Sequence, residues 1–320
     1  MARWVEVSTL PKLAGSARFW AIRAVACAAA LSPAVGCTDR SGLAVAEGAN
    51  PTPPLTPLIG AAVLVGAGDI AGCRSSGDEA TAALLDSIPG TVFTAGDNVY
   101  PNGRMEEYRR CYEPSWGRHR GRTYPAPGNH DWRTRNGAPY FEYFGARAGP
   151  PGLGYYSFRI DEWLILILNS NIDLGPRSPQ RAWLDAQLAA DTNRCEIVIT
   201  HHPRFSSGTH GTSWRMAAAW DVLYKHGVEL AIGGHDHSYE RFAPMTPAGA
   251  RDDARGVRQF VVGTGGYKPS TRRRTPTRNS QIRSSASGVL KLSLGEGVYQ
   301  WEFVPVAGQN FRDWGEGRCR

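Results

Sequence analysis

The 320-residue chain lacks several features that would assign it to a specialised class of protein. Its apolar run Ala24–Leu31 is too short to span a membrane as a helix. None of its six cysteines has the close spacing of a zinc ribbon, and no internal repeat is visible. Lysine is scarce, so the net charge of +7 comes mainly from arginine. These absences favour an ordinary globular chain over a membrane, zinc-ribbon or repeat protein.

The composition is that of a chain with a full hydrophobic core, large enough for one large domain or two small ones. Its positive charge is compatible with nucleic acid, anionic envelope polymers or anionic substrates. The densest basic stretch, Lys268–Arg283, includes Arg272–Arg274 and is rich in Ser, Thr and Pro. We interpret it as a solvated loop, the alternative being a rim that gathers phosphorylated substrates. We predict no specific nucleic-acid partner and assign no oligomeric state.

The amino-terminal residues have the pattern of an export signal. Basic residues precede the apolar run, and a stretch of small residues, Ala34-Val35-Gly36, leads to Cys37. This box is similar to a bacterial lipoprotein cleavage site, in which Cys37 would carry the lipid anchor; ordinary signal cleavage nearby is the equal alternative. We therefore predict a signal peptide over residues 1–37, a flexible linker over 38–58 and one folded domain over 59–320.

Export changes the interpretation of the cysteines, because an oxidising compartment permits disulfides. Cys73, Cys111, Cys195 and Cys319 remain after the signal, and four cysteines allow three pairings. We favour Cys73–Cys111 with Cys195–Cys319, since each pair brackets one segment and Cys319 would hold the C-terminal tail.

Short apolar runs alternate with amphipathic segments from Leu58 onward, which predicts a single α/β domain. Several of the runs end directly in polar motifs, where open α/β sheets place their sites. The predicted strands are Ala61–Gly66, Thr91–Ala95, Trp163–Leu168, Glu196–Thr200, Glu229–Ile232, Gln259–Val262, Gly288–Leu294 and Gly297–Val304. The predicted helices are Asp78–Ser87, Arg104–Cys111, Ser178–Ala190 and Ser213–His226.

Five motifs recur in one order and carry oxygen or imidazole groups beside glycine or an apolar run. They are Gly68-Asp69, Gly96-Asp97-Asn98-Val99-Tyr100, Gly128-Asn129-His130-Asp131, Val198-Ile199-Thr200-His201 and Gly234-His235-Asp236-His237. A donor set without thiolate suits Fe, Mn or Zn. A carboxylate such as Asp97 can bridge two cations roughly 3.5–4 Å apart, which can clamp a phosphate and hold a hydroxide. The motifs therefore predict a two-metal phosphoesterase site.

The five blocks resemble those of the calcineurin-like metallophosphoesterases, and specifically the purple acid phosphatase branch. Asp69 is followed by Ile70 and Ala71 instead of the Asp-x-His of most of that superfamily, and Tyr100 lies three residues after Asp97. The run from Gly234 to Arg241 is also similar to the last block of the plant enzymes. The resemblance implies a four-layer α-β-β-α sandwich of two mixed sheets with a dinuclear metal site at the strand ends.

The resemblance also implies a role for each motif residue. The first metal, Fe(III), would be bound by Asp69, Asp97, Tyr100 and His237. The second, which would be Fe(II), Zn(II) or Mn(II), would be bound by Asp97, Asn129, His201 and His235. The pattern His-x-Pro selects His201 over its neighbour His202, and Asp131 would orient a neighbouring ligand. His130 and His210 are the candidate catalytic groups outside the metal shell, the alternative for His210 being a solvated loop histidine.

The expected function is that of a secreted or lipid-anchored phosphoesterase. It would hydrolyse phosphate monoesters by direct attack of a metal-bound hydroxide, without a covalent phosphoenzyme. One alternative is a phosphodiesterase or nuclease that uses the same two metals. Another is a non-catalytic envelope protein that binds metal or phosphate.

Overall fold

The computed structural model describes residues 55–192, 195–269 and 275–320. The predicted signal over 1–37, the anchor at Cys37, the linker as far as residue 54 and the run Arg272–Arg274 lie outside the described residues. Among the helices that are described, none combines the length and apolar character that a bilayer-spanning segment requires.

The described residues form strands and helices along the whole of their length. The strands are β1 Ala62–Ala67, β2 Ala71–Gly72, β3 Thr91–Ala95, β4 Val99–Tyr100, β5 Thr123–Ala126, β6 Tyr156–Ile160, β7 Trp163–Ile167, β8 Glu196–Ile199, β9 Leu230–Gly233, β10 Tyr239–Phe242, β11 Arg258–Val262, β12 Ser280–Ser284, β13 Gly288–Gly295, β14 Val298–Pro305 and β15 Asp313–Arg318. The α-helices are α1 Gly77–Ser87, α2 Met105–Glu107, α3 Asn129–Trp132, α4 Ala138–Phe144, α5 Pro179–Ala190 and α6 Ala217–His226.

Two mixed sheets dominate the architecture. One has the order β15-β14-β13-β1-β3-β5, in which β1, β3 and β5 are parallel and the other pairs antiparallel. The other has the order β12-β10-β11-β9-β8-β7-β6, with parallel pairing from β11 to β7. The short pair β2-β4 stands apart from both. All parallel strands of one sheet therefore end at the same edge, which is where ligand-bearing loops can meet.

The sheets pack face to face and carry helices outside, so the predicted four-layer sandwich is confirmed. In β7, alternate side chains point to opposite faces: Trp163, Ile165 and Ile167 belong to the core between the sheets, while Leu164 and Leu166 pack beneath α5 and α6. The ring of Trp163 meets Tyr299 of the other sheet at 5.8 Å. On the far side, α1 contacts β13.

The predicted helices differ from the structure mainly at their ends. Ser178 caps α5 by accepting a hydrogen bond from the backbone N of Arg181, and Gly227 ends α6 with φ of +78°, both as predicted. Helix α6 begins at Ala217, four residues after the predicted start at Ser213, because a 3₁₀ turn precedes it. The predicted helix Arg104–Cys111 is wrong in kind: only α2 is α-helical, and a π-helical turn, Tyr108–Tyr112, follows it.

The preferred disulfide pairing is confirmed. Cys73 is bonded to Cys111, with 4.8 Å between their Cα atoms, and Cys195 is bonded to Cys319, with 5.3 Å between theirs. The first bond ties the loop after β2 to the π-helical turn. The second attaches the end of the chain to the residue before β8, so both disulfides hold segments that lack a long helix or strand of their own.

Candidate metal centre

Five of the seven predicted metal ligands follow the carboxyl ends of parallel strands. Asp69 and Asp97 come after β1 and β3, and Asn129 begins α3 after β5. From the other sheet, His201 follows β8 and His235 follows β9. Tyr100 in β4 and His237 before β10 complete the set. The two sheets thus bring residues separated by up to 168 positions to one edge of the sandwich.

Three of these residues adopt a left-handed backbone conformation that side-chain-bearing residues seldom take. Asp69 has φ of +61°, Asp97 +49° and His235 +70°. The structure thus places much of each turn on the polar residues themselves. Strain of this kind costs roughly 1–3 kcal/mol and is found chiefly at functional sites. The conformation directs the side chains towards one another.

The four residues predicted for the first metal converge on the phenol oxygen of Tyr100. This oxygen lies 2.7 Å from Asp69 Oδ1, 2.9 Å from Asp97 Oδ2 and 3.2 Å from His237 Nε2. The other three side chains therefore all meet at the phenol oxygen of Tyr100, within hydrogen-bonding distance.

The four residues predicted for the second metal converge in the same way on His201 Nε2. That nitrogen lies 3.0 Å from Asn129 Oδ1, 3.2 Å from His235 Nδ1 and 3.4 Å from Asp97 Oδ2. Asp97 contributes to both groups through one carboxylate. The structure therefore brings all seven predicted residues into two adjoining clusters that share Asp97.

The spacing and orientation of these groups fit bound cations. Ligands about 2.0–2.2 Å from one ion lie about 3 Å from each other, which matches the contacts in both clusters. His201 and His237 each place Nδ1 against a backbone carbonyl, that of Ala95 at 2.9 Å and that of Lys268 at 2.8 Å. Since a carbonyl only accepts, Nδ1 carries a hydrogen, which leaves Nε2, directed at the cluster, as the nitrogen that would bind a cation.

The ionisable groups of the cluster shift one another's pKa values. Burial opposes ionisation of Asp97, but His201 and His130 outweigh it and hold the pKa of Asp97 below its ordinary value. Burial likewise opposes the charge on His201, yet Asp97 raises the pKa of that imidazole to about 9. Burial, followed by Asp69 and Asp97, raises the pKa of Tyr100. Cations at these positions would displace the shared protons, so metal binding should release protons.

The third motif, Gly128–Asp131, fixes the position of Asp97. The backbone N of His130 donates to Asp97 Oδ1 at 2.7 Å. Gly128 has to be glycine, because a Cβ there would lie 2.0 Å from the backbone N of Asp97. Asp131 is buried and accepts hydrogen bonds from Gly128 N at 2.8 Å and Asn98 Nδ2 at 2.9 Å. It therefore anchors the two ligand loops to each other.

The two predicted catalytic histidines lie on opposite sides of the cluster. The ring of His130 packs at a tilt against that of Tyr100, with centroids 4.3 Å apart, and its Nδ1 lies 2.6 Å from the carbonyl of Pro101. His210 is exposed and packs on His235, with ring centroids 4.1 Å apart. The structure thus brings both beside the predicted ligands.

His202 lies closer to the cluster than its sequence position indicated. Its Nδ1 lies 2.7 Å from Ser170 Oγ, and its ring is 4.3 Å from that of His235. Among the described residues, its ligand atom and those of His201 and His235 form one of two groups of donor atoms within 4.8 Å of one another that could hold a metal ion. The other such group is Asp69, Asp97 and His201.

Two further residues of the site were not predicted. Tyr267 stacks on Tyr100, with centroids 3.6 Å apart and nearly parallel rings. The carboxylate of Asp236, between the two histidines of the last motif, accepts from the backbone N of His210 at 2.8 Å. Asp236 could have been identified from the sequence, because it is a polar residue inside a ligand motif. The stacking of Tyr267 on Tyr100 depends on the fold and has no local sequence signal.

A two-sheet α/β fold with carboxylate, amide and imidazole donors at its strand ends is typical of metal-dependent hydrolases. The chain belongs to the calcineurin-like phosphoesterase family, whose model matches residues 64–239. The predicted similarity to purple acid phosphatases is also confirmed by the relatives described next.

Purple acid phosphatase 18 of Arabidopsis thaliana is 32% identical over 118 residues, which are 35% of this chain and 26% of that protein. The chain thus matches about a quarter of the length of this relative. The purple acid phosphatase PPD1 of yellow lupin shares the fold at a TM-score of 0.65 and 18% identity, over 80% of this chain and 53% of that one. GAP50, the anchor in the inner membrane complex of Plasmodium, shares the fold at a TM-score of 0.64 and 17% identity. The superposition covers 81% of this chain and 89% of that one.

Proposed function

We propose that the protein is a metal-dependent phosphatase that hydrolyses phosphate monoesters. The observation that carries this proposal is the pair of donor clusters joined at Asp97, with Tyr100 Oη and His201 Nε2 each within 3.4 Å of three partner atoms. Membership of the phosphoesterase family and similarity to purple acid phosphatases support it.

In this proposal the metals are held by the residues that the motifs predicted. Asp69, Asp97, Tyr100 and His237 would hold Fe(III), and Asp97, Asn129, His201 and His235 would hold Fe(II), Zn(II) or Mn(II). Two such cations, when bound, would supply Lewis acidity and a water of lowered pKa. The carboxylates are buried and their positions are set by backbone donors, so the centre would need little rearrangement to receive the ions.

The remaining steps would fall to the two histidines outside the ligand set. His130 donates through Nδ1 to a carbonyl, and its Nε2, 3.9 Å from Asp97 Oδ2, would donate to a phosphate oxygen when the ring is protonated. His210 is exposed beside His235, a position from which an imidazole can give a proton to the departing alcohol oxygen. His210 is thus the proposed general acid and His130 a proposed phosphate-orienting group.

Hydrolysis of a chromogenic monoester and a matched diester by purified protein, with elemental analysis beside it, tests the proposal. We expect two metal ions per chain, faster hydrolysis of the monoester and a loss of at least 100-fold in His201→Ala. His226→Ala, distant from the cluster and paired with Asp185, provides the control. Faster diester hydrolysis would favour the phosphodiesterase alternative. Bound metal without hydrolysis of either ester would favour a non-catalytic binding protein.

The visible absorption spectrum of the protein separately tests which metal Tyr100 binds. A tyrosinate bound to Fe(III) absorbs visible light, so the wild-type protein should be purple or pink and Tyr100→Phe should lose the band. A colourless protein holding two Zn or Mn ions would exclude Fe(III) at Tyr100 and leave the phosphoesterase proposal intact.

We further propose that the protein is exported, and that Cys37 carries a lipid anchor. The two disulfides support export, because such bonds persist mainly in oxidising compartments. Mass spectrometry of the mature amino terminus, in wild type and Cys37→Ser, would test the anchor. A mature terminus that carries no lipid would favour ordinary signal cleavage.

A further inference from the structure

A polar cleft of about 670 Å³ opens directly beside the candidate metal centre. His210 lies at its boundary, in contact with His235 on one side and lining the cleft on the other. Apart from His210 and Gly211, the described residues that line it are serines and threonines: Ser206, Ser207, Thr212, Thr275 and Thr277. Apart from the imidazole ring of His210, the described lining therefore offers a ligand mainly hydroxyl groups.

The inner wall of the cleft is rigid because two buried carboxylates hold it from behind. Ser206 Oγ donates to Asp236, and Ser207 Oγ donates to Glu240 Oε1 at 2.5 Å. Ser207 Oγ also accepts from the backbone N of Thr277 at 2.7 Å, which joins the two sides of the wall. Asp236 and Glu240 are 1% and 2% exposed, so their charges are directed inward and do not line the cleft.

The outer wall presents hydroxyl groups to solvent. Thr212 and Thr275 are exposed, and Thr277 is half-buried. A threonine hydroxyl can both donate and accept a hydrogen bond, so it can pair with an alcohol group in either sense. A ligand that fills this space gains directed polar contacts and little apolar burial.

We propose that this cleft is the leaving-group subsite and that it favours phosphate esters of polyhydroxy alcohols over those of simple alkyl alcohols. The inference rests on the proposed phosphatase function, because it places the ester's alcohol portion beside His210 while the phosphate occupies the metal centre. The hydroxyls of Thr212 and Thr275 recognise the hydroxyls of the substrate.

The test compares glycerol 3-phosphate with propyl phosphate, which share a three-carbon chain and differ by two hydroxyls. The measured quantity is the ratio of their kcat/KM values, in wild type and in Thr212→Val/Thr275→Val. We expect the ratio to fall roughly tenfold in the double variant, since two neutral hydrogen bonds are lost. The kcat/KM for propyl phosphate should fall less than that for glycerol 3-phosphate, because propyl phosphate has no hydroxyl for Thr212 and Thr275 to contact. Serine at both positions restores the hydroxyls and should restore the ratio.

Thr56→Val gives a matched control, because Thr56 is exposed on the outer face of the six-stranded sheet beside Gln300. Metal content and thermal unfolding of each variant show that the centre and fold persist. An unchanged ratio in the double variant, with propyl phosphate still hydrolysed, would overturn the subsite alone. Failure of metal-loaded wild type to hydrolyse either ester would overturn the proposed function, and the subsite with it.

Discussion

Asp236 holds His210 through the backbone, with 2.8 Å between its Oδ1 and the amide nitrogen of that histidine. Its second oxygen accepts from Ser206 Oγ, so one buried carboxylate secures both ends of the loop 206–210. Gly208 lies between them, and a Cβ there would be 2.2 Å from the carboxylate carbon. Since Asp236 also stands between His235 and His237, the same turn sets the proposed ligands and the proposed general acid.

Replacement of Asp236 therefore separates positioning from metal binding. Asp236→Ala should lower kcat/KM for a monoester by about 10–100-fold, because the loop carrying His210 loses its anchor. Asp236→Asn keeps an acceptor oxygen for the amide of His210 and should recover most of that loss. Metal content should be unchanged in both, since the carboxylate of Asp236 does not join the two donor clusters. Wild-type activity in Asp236→Ala would contradict the positioning role.

The ligand motifs could be predicted from the sequence because each is local. A glycine, a donor and a preceding apolar run lie within a few residues, as in Val198–His201. Contacts between distant segments had no such signal. Tyr267 meets Tyr100 only because β4 and the loop after β11 end at the same edge of the molecule.

The strands that were missed are short or polar on their surface. β5 contains Pro125, which ordinarily argues against a strand, but it lies at the edge of its sheet where a missing donor is tolerated. β12 and β15 are also edge strands, so their solvent faces carry charged and small residues. Likewise, the helix predicted from Arg104 widens into a π turn where Cys111 is bonded to Cys73.

Arg241, the last residue of the final motif, is structural. Its guanidinium donates to both oxygens of Asp313, at 2.7 Å and 2.9 Å, and links β10 to β15 across the two sheets. Asp313→Ala should lower the free energy of unfolding by about 3–5 kcal/mol, because a buried cation loses its partner. The exposed pair Arg251–Asp253 gives the control, and Asp253→Ala should cost no more than about 1 kcal/mol. Urea unfolding measures both; equal losses would contradict the assignment.

The disulfide Cys195–Cys319 should contribute much of the stability of the C-terminal strand. It closes a separation of 124 residues, and bonds of this kind typically contribute about 2–4 kcal/mol. The free energy of unfolding of Cys195→Ala/Cys319→Ala, measured in urea under non-reducing conditions, should be lower than that of wild type by this amount. Cys73→Ala/Cys111→Ala is the matched comparison, because it removes the other disulfide and keeps this one. A double variant as stable as the oxidised wild type would show that β15 is held without the disulfide, by its hydrogen bonds to β14 and by the Arg241–Asp313 pair.

A buried pair of carboxyl groups beside that disulfide should make stability depend on pH. Glu196 and Glu229 are 3% and 1% exposed, and Glu229 accepts from the backbone N of both Glu196 and Arg320. Burial and the carboxylate of Glu229 raise the pKa of Glu196 to about 8, from an ordinary value of 4.5. The folded pair therefore retains a proton that the unfolded chain has already released.

Because the folded pKa is the higher one, this pair's contribution is most favourable below pH 4.5 and is lost as pH rises towards about 8. Glu196→Gln carries a permanent donor, so the variant should match wild type near pH 4.5 and exceed its unfolding free energy by roughly 2 kcal/mol near pH 8. Urea unfolding at several pH values measures the difference. Glu316 is exposed, so the control variant Glu316→Gln should differ from wild type by the same free energy of unfolding at every pH. A Glu196→Gln difference that stays constant from pH 4.5 to 8 would mean that the pair does not retain the proton.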